Sequence, residues 1–201
     1  MGFIADNCSL RLISKEPASS LASFVCSKAK NIEDFFLKEA QDYEKQMMGQ
    51  SYGFFHNDTN EMVCAFCLAN SSVSVDDIPK PVRNKLNRKI PHVKQRETYP
   101  AVLLAQLAVS DKYAKYHIGD ELMSLIKVRL VCKWQSVSGR FLIADAVNSE
   151  NVLSFYERNN FKLVFASEDE ERKYCNIDAD EFLKTRFMIT DLKDVRVNLG
   201  I

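Results

Sequence analysis

The stretch from Ala101 to Val109 limits the fold more than any other. Nine residues run AVLLAQLAV, with Gln106 as the single polar interruption. A run without alternation suits a strand covered on both faces. A short polar stretch follows, Ser110 to His117. Then Ile118, Leu122, Leu125, Ile126 and Leu130 recur at the spacing of one helix face. A buried strand, a turn and a helix together form an anion site: the first-turn N–H groups of the helix lack intrahelical acceptors and point at the turn, and the helix dipole adds positive potential there.

Around this unit the chain reads as alternating strands and helices. Cys8 to Ile13 is an opening strand. Two helical patterns follow, Pro17 to Ser27 and a longer one capped by Asn31 with Ile32, Phe35, Phe36 and Ala40 inward. Ser51 to Phe55 and Met62 to Ala69 form a hairpin about the turn His56 to Asn60. Residues 70–98 carry Pro79, Pro81 and Pro91 and read as a long connection with a turn or two of helix near Val82 to Asn87. Arg140 to Val147 is the next strand, and Asn148 or Ser149 caps a helix bearing Val152, Phe155 and Tyr156. Phe161 to Phe165 and Thr185 to Thr190 are the last two strands, with an acidic loop between them. The expected architecture is one α/β (α+β) domain over residues 1–201, its sheet crossed over once near the middle.

Charge and cysteine content narrow the function. Lys and Arg total 27, as do Asp and Glu, so the formal net charge is zero, which argues against a general nucleic-acid binder. The charge is unevenly placed, with seven basic residues and no acid from Lys80 to Arg96. From Glu168 to Glu181 there are seven acids and two basic residues. No apolar run has the length of a membrane span, and the first residues lack the pattern of a secretory signal. Cys64 and Cys67 have a metal-site spacing but sit in a strand-like run, where residues three apart face opposite ways. The six cysteines are therefore expected as core residues of a reducing, cytoplasmic compartment, with no metal site.

The order of elements, the strand–turn–helix at 101–130 and the block Asn148-Ser149-Glu150-Asn151-Val152-Leu153-Ser154-Phe155-Tyr156-Glu157-Arg158-Asn159-Asn160-Phe161 resemble the GNAT superfamily of acetyl-CoA-dependent N-acetyltransferases. The resemblance runs from about Leu10 to about Thr190. It implies a mixed, splayed central sheet of about seven strands with helices on both faces, and acetyl-CoA as co-substrate. In the family, backbone N–H groups of a Q-x-x-G-x-G turn wrap the coenzyme A pyrophosphate. The matching positions here are Lys115, Tyr116, His117, Ile118, Gly119 and Asp120, and of the two glycines only Gly119 is kept. Lys112, Lys115 and His117 offer charge to the phosphate in compensation.

The resemblance also assigns pantetheine contacts to Leu107, Ala108 and Val109, with the N–H of Val109 polarising the thioester carbonyl. Asn148 and Asn151 stand where the family binds the pantetheine arm. Tyr156 stands where a phenol returns a proton to the departing thiolate, a neutral donor suited to that task. Glu97, His92 and Asp145 are candidates for the general base, beside a chain of waters.

A narrower resemblance joins the front half to GNAT-type toxins of bacterial toxin–antitoxin pairs. It is carried by Phe24 to Ser27, Asn31 to Ala40, Ser51-Tyr52-Gly53-Phe54, Asp77-Ile78-Pro79-Lys80 and Ala105 to Val109. Those toxins acetylate aminoacyl-tRNA, which implies tRNA contact through Lys80 to Arg96. Three functions remain open: an N-acetyltransferase of a primary amine, a toxin-type acetyltransferase of charged tRNA, and a non-catalytic acyl-CoA-binding relic. Related folds pair through edge strands, so a homodimer is one arrangement the resemblance allows.

Overall fold

The computed structural model describes residues 2–76, 78–88, 90–91, 97–132 and 139–200, and of Lys85 the backbone alone. Asp77, His92 and the basic positions Lys89, Lys94 and Arg96 lie outside the described residues. In chain order the elements are α1 (Phe3–Asn7), β1 (Cys8–Leu12), α2 (Ala18–Leu21), α3 (Lys30–Asp34), α4 (Ala40–Lys45), β2 (Gln50–His56), β3 (Met62–Ser74), α5 (Lys80–Asn87) and β4 (Thr98–Val109). They continue with α6 (Ile118–Cys132), β5 (Phe141–Val147), α7 (Glu150–Arg158), β6 (Lys162–Leu163), α8 (Glu168–Cys175), β7 (Thr185–Asp191) and α9 (Leu192–Asn198).

The strands form one mixed sheet in the order β1-β2-β3-β4-β5-β7-β6. The β1/β2, β2/β3, β5/β7 and β6/β7 pairs are antiparallel, and β4/β5 is parallel. A parallel pair needs a long crossover, which α6 supplies. The β4/β5 register comprises Ala101↔Phe141, Val102↔Leu142 and Leu103↔Ile143. No described helix is long and apolar enough to cross a membrane.

By internal contact the chain divides into two compact units, Met1–Asn70 with Leu104–Lys127 and Ser71–Leu103 with Val128–Ile201. In the first, Phe24, Phe36, Phe55, Met62, Ala65 and Cys67 are at most 1% exposed and pack into one cluster. Phe36 meets Phe24 and Phe35 edge-on, with ring centroids 6.1 and 5.3 Å apart. Each buried phenylalanine contributes about 2–3 kcal/mol through apolar burial. Cys64 and Cys67 are both sealed within β3, opposite Phe54 and Ser51 of β2, as unbridged core thiols. On α6, Ile118, Leu122 and Ile126 of the apolar face read from the spacing are at most 1% exposed, Leu125 and Leu130 are half-buried, and Met123, outside that reading, is fully buried.

The second unit has its own core of Val73, Val75, Tyr99, Phe141, Val164 and Phe165. A buried ion pair joins α8 to β7: Arg186 Nε donates to Glu171 Oε2 at 2.5 Å, and the two side chains are 8% and 3% exposed. The N–H of Phe187 also donates to Glu171, and Arg186 Nη2 donates to the Phe165 carbonyl at 3.2 Å.

Several sequence expectations need correction. The cap of the second helical pattern is Ala29, one residue before α3, and Asn31 lies inside the helix. A π turn at Phe35–Glu39 separates α3 from α4. The helix expected over Pro17 to Ser27 is the single turn α2, because Leu21 and Phe24 enter the core through a turn closed by Phe24 N–H on the Leu21 carbonyl. The strand expected over Phe161 to Phe165 shrinks to β6. Only Lys162 and Leu163 pair in register with β7, opposite Ile189 and Met188, and Val164 and Phe165 leave the ladder for the core. The acidic stretch opens as a helix, not a loop. Ser167 caps α8 by accepting from the Glu170 N–H at 3.2 Å, and four acids occupy its first turn, where the helix dipole favours them.

Candidate active site

In the first unit the end of β4 leads into the proposed pyrophosphate turn. Ser110 N–H donates to the Val63 carbonyl at 2.9 Å, tying this end of β4 to β3. Successive N–H groups of a strand point to opposite edges, so the N–H of Val109 is directed away from β3. Asp111–Tyr116 forms a 3-10 turn, and Asp111 N–H donates to the Val25 carbonyl at 2.8 Å. Then His117 takes the left-handed conformation, φ 54° and ψ 30°. That is the backbone geometry glycine adopts freely, at the position where the resembling family has glycine. The turn keeps the glycine shape with a side chain attached, and histidine is among the residues that tolerate it.

The cations of this turn differ in their attachments. Lys112 Nζ lies 2.6 and 2.8 Å from the Glu61 carboxylate oxygens, and the Tyr113 hydroxyl donates to the same carboxylate at 2.7 Å. The lysine, then the phenol, hold the Glu61 carboxyl down to about 2. Lys112 is therefore an architectural cation. Lys115 and His117 are exposed. Lys115 Nζ lies 5.2 Å from the Tyr116 ring centre and makes no ion pair with a described residue.

The helix α1, absent from the sequence reading, braces the same turn. Phe3 stacks on Tyr116 with centroids 4.7 Å apart and planes 15° apart, and it also meets Tyr113 and His56. In the first turn of α6, Glu121 accepts hydrogen bonds from the N–H groups of Ile4 and Ala5 at 3.0 and 2.8 Å. A Cβ on Gly2 would run into the Glu121 carboxylate, so a larger residue there would displace the end of that side chain. One of the two carboxylates in the first turn of α6 is thereby engaged by α1.

In the second unit β5 and α7 carry the remaining candidates. Asn148, just past β5, donates through Nδ2 to Glu168 Oε1 at 3.0 Å and to the Leu183 carbonyl at 2.9 Å. Its N–H donates to the Lys184 carbonyl at 2.9 Å. Asn148 thus ties the end of β5 to α8 and to the segment before β7. Asn151 is exposed in the first turn of α7. Tyr156 is buried edge-on between Phe155 and Phe161, at centroid distances of 5.3 and 5.1 Å. Burial, and then the charge of Asp145, push its phenol up to about 12. Its hydroxyl has no hydrogen-bond partner among the described residues.

Among the described candidate bases, Asp145 lines a cavity. A hollow of about 400 Å³ is lined by Asp145, Glu171, Tyr174, Phe182, Leu183 and Lys184, among others. The Asp145 side chain reaches solvent, yet its surroundings desolvate the carboxyl enough to raise its pKa. Glu97 is exposed, and His92 lies outside the described residues. Among the described residues no cluster of three His, Cys, Asp or Glu is arranged to hold a metal. Sequence reasoning missed α1 with its Glu121 cap and the buried Glu171–Arg186 pair. The Ser167-x-x-Glu170 spacing was the available signal for α8.

No protein-family model matches the sequence, and no curated protein matches it. Solved structures do match. AtaT complexed with acetyl-methionyl-tRNAfMet superposes with a TM-score of 0.70 at 14% identity, covering 96% of this chain and 99% of that one. A tyrosine-to-phenylalanine mutant of KacT gives 0.69 at 14% identity, with 96% and 99% covered. An AtaT mutant toxin bound to the C-terminus of the antitoxin AtaR and acetyl-CoA gives 0.64 at 12% identity, with 98% and 100% covered. The chain has the fold of these GNAT-type toxins over nearly its whole length.

Proposed function

We propose that this protein is an acetyl-CoA-dependent N-acetyltransferase acting on a primary amine in the cytoplasm. The observation that carries the reading is Tyr156. Its ring is packed in the core, while its hydroxyl is not sealed off and makes no hydrogen bond to a described residue, which leaves it open to a ligand on the helix that carries the family-like block. The residues of the first unit fit coenzyme A. First-turn N–H groups of α6 face an anion by helix geometry, His117 supplies the glycine-like bend, and Lys115 adds charge. Asp120 and Gly119 complete the turn, and Tyr116 is positioned by Phe3.

The thioester supplies an activated acetyl group, and the chain's residues position it and move protons. Leu107, Ala108 and Val109 offer backbone groups to the pantetheine arm, and the N–H of Val109 polarises the thioester carbonyl. By the resemblance Asn151 orients the arm, and Asn148 holds the end of β5. Tyr156 gives its proton to the departing sulfur. A phenol near 12 does not readily release a proton to a thiolate whose acid has a pKa of about 8.5, so Tyr156 works as a relay, regaining a proton from the attacking nitrogen as it gives one up.

The alternative acceptor is aminoacyl-tRNA. The likeness to AtaT in complex with acetyl-methionyl-tRNAfMet favours it, with Lys80 to Arg96 as the phosphate-contacting run. A calorimetric titration with acetyl-CoA tests the shared reading. A micromolar Kd is expected, and absence of both binding heat and thermal stabilisation would reduce the chain to a relic of the fold. Acetyl transfer to charged tRNA, assayed beside small amines, separates the two acceptors. Co-purification of a small antitoxin would support the toxin reading.

A further inference from the structure

We propose that the cavity lined by Asp145, Glu171, Tyr174, Phe182, Leu183 and Lys184 is the acceptor site, and that it takes a primary ammonium carried on an aromatic or apolar group, with Asp145 as its anchor and base. This rests on the acetyltransferase reading and names the substrate class for it.

Four features of the second unit converge. The first is size. About 400 Å³ accommodates an amine of roughly ten heavy atoms, at the lower end of ligand-pocket volumes. The second is charge. Glu171 is neutralised by Arg186 and by the Phe187 N–H, so the carboxylates left to the cavity are Asp145 and Glu181, against Lys184. Asp145 has no hydrogen-bond or ion-pair partner among the described residues. It lies mid-strand on β5, opposite Phe187 of β7, which fixes its backbone.

The third feature is the pair of aromatic walls. Tyr174 and Phe182 are 44% and 67% exposed, an unusual exposure for large rings, and both line the cavity. Aromatic faces attract cations and apolar groups alike. The fourth is proximity to the proton donor: Asp145 is near enough for its charge to act on the Tyr156 phenol. An ammonium beside Asp145 offsets that charge and eases Tyr156 toward proton transfer.

The step balances as follows. The acceptor ammonium passes one proton to the Asp145 carboxylate, which releases it to water. The nitrogen lone pair attacks the thioester carbon, the C–N bond forms and the C–S bond breaks. Sulfur leaves with the electron pair and takes the Tyr156 proton, and Tyr156 takes the second proton from nitrogen. The products are the N-acetyl amide and the free thiol.

Two sources carry this chemistry, a free arylalkylamine and the aminoacyl end of a charged tRNA. The probes are 2-phenylethylamine and L-phenylalanine methyl ester, each compared with its uncharged counterpart, 2-phenylethanol and methyl 3-phenylpropanoate. Binding to the full chain is followed by calorimetry or by NMR shifts. At least one ammonium is expected to bind tenfold or more tightly than its counterpart, and the better of the two names the source. Asp145→Asn should bring that ammonium to the level of its counterpart. Phe182→Ala should weaken both members of the pair several-fold. Urea midpoints of both variants check that they fold. Equal affinity for charged and uncharged probes, or an ammonium preference that survives Asp145→Asn, overturns the inference. Acetyl-CoA is titrated into the same protein. If it binds while the probes show no charge preference, only this inference fails. If it does not bind while the preference persists, the acetyltransferase reading fails and an ammonium site remains.

Discussion

In the first unit Glu61 accepts from Lys112, Tyr113 and Thr59, and its carboxyl is held down to about 2. In the second, Asp145 has no such partner, and desolvation raises its carboxyl above the usual range. The contrast separates carboxylates that build the structure from one held ready for something else. The second unit contains both kinds in a single cavity wall. Glu171 is locked to Arg186 and Phe187, and Asp145 is left open.

The comparison is broken most forcefully at Glu171. Glu171→Ala leaves Arg186 as a buried charge without its partner and should cost about 3–5 kcal/mol in urea unfolding. A loss under about 1 kcal/mol would remove Glu171 from the structural class. Next comes Tyr156→Phe. It should lower kcat by one to two powers of ten and leave the calorimetric Kd for acetyl-CoA unchanged, as expected for loss of a proton donor that does not hold the ligand. An unchanged kcat would make Tyr156 a packing residue.

His117 sharpens the first unit. His117→Val places a β-branched residue in the left-handed region and should cost about 1–2 kcal/mol by thermal or urea unfolding. His117→Gly should keep stability within about 1 kcal/mol of the parent, since relief of strain opposes greater unfolded-state freedom. It should also tighten acetyl-CoA by removing a Cβ from the turn. The smallest effects concern pH. The lowered carboxyl of Glu61 contributes stability that is present above about pH 4.5 and is lost as pH falls toward 2. Glu61→Gln should therefore lower the urea midpoint at pH 7, within the range of an exposed ion pair, and have no effect near pH 2. Asp145 has the opposite sign. Its charged form opposes folding, and the penalty disappears as pH falls through the raised pKa. Asp145→Asn should raise the midpoint at pH 7 and lose that gain in acid. Matching signs for the two variants would erase the distinction.

Much of the fold was legible because it rests on local pattern. The run at Ala101 to Val109, the buried run Met62 to Leu68 and the face of α6 each follow from spacing, although in the first only Ala101, Leu104 and Ala108 are buried and the covering of both faces expected there is partial. The block around Tyr156 was legible as α7 with its aromatic pair. The missed parts depend on distant partners. Five residues cannot sustain a helix alone, and α1 exists because Glu121 caps it and Phe3 stacks on Tyr116. The acids of α8 read as a solvated loop because composition outweighed the Ser167 cap. The charge of the cavity was not legible, since it depends on Arg186 of β7 taking up Glu171 of α8 and leaving Asp145 of β5 open.

The Glu121 clamp on α1 carries a consequence for how the chain comes into order. The hydrogen bond to Ile4 N–H joins positions 117 residues apart. During synthesis α1 is made before α6, yet it lacks its cap until residue 121 has left the ribosome. A five-residue helix is unstable without that support, so α1 orders late, after α6 has begun to form. In pulse-labelling hydrogen exchange during refolding, protection at Ile4 and Ala5 should lag behind that of β3.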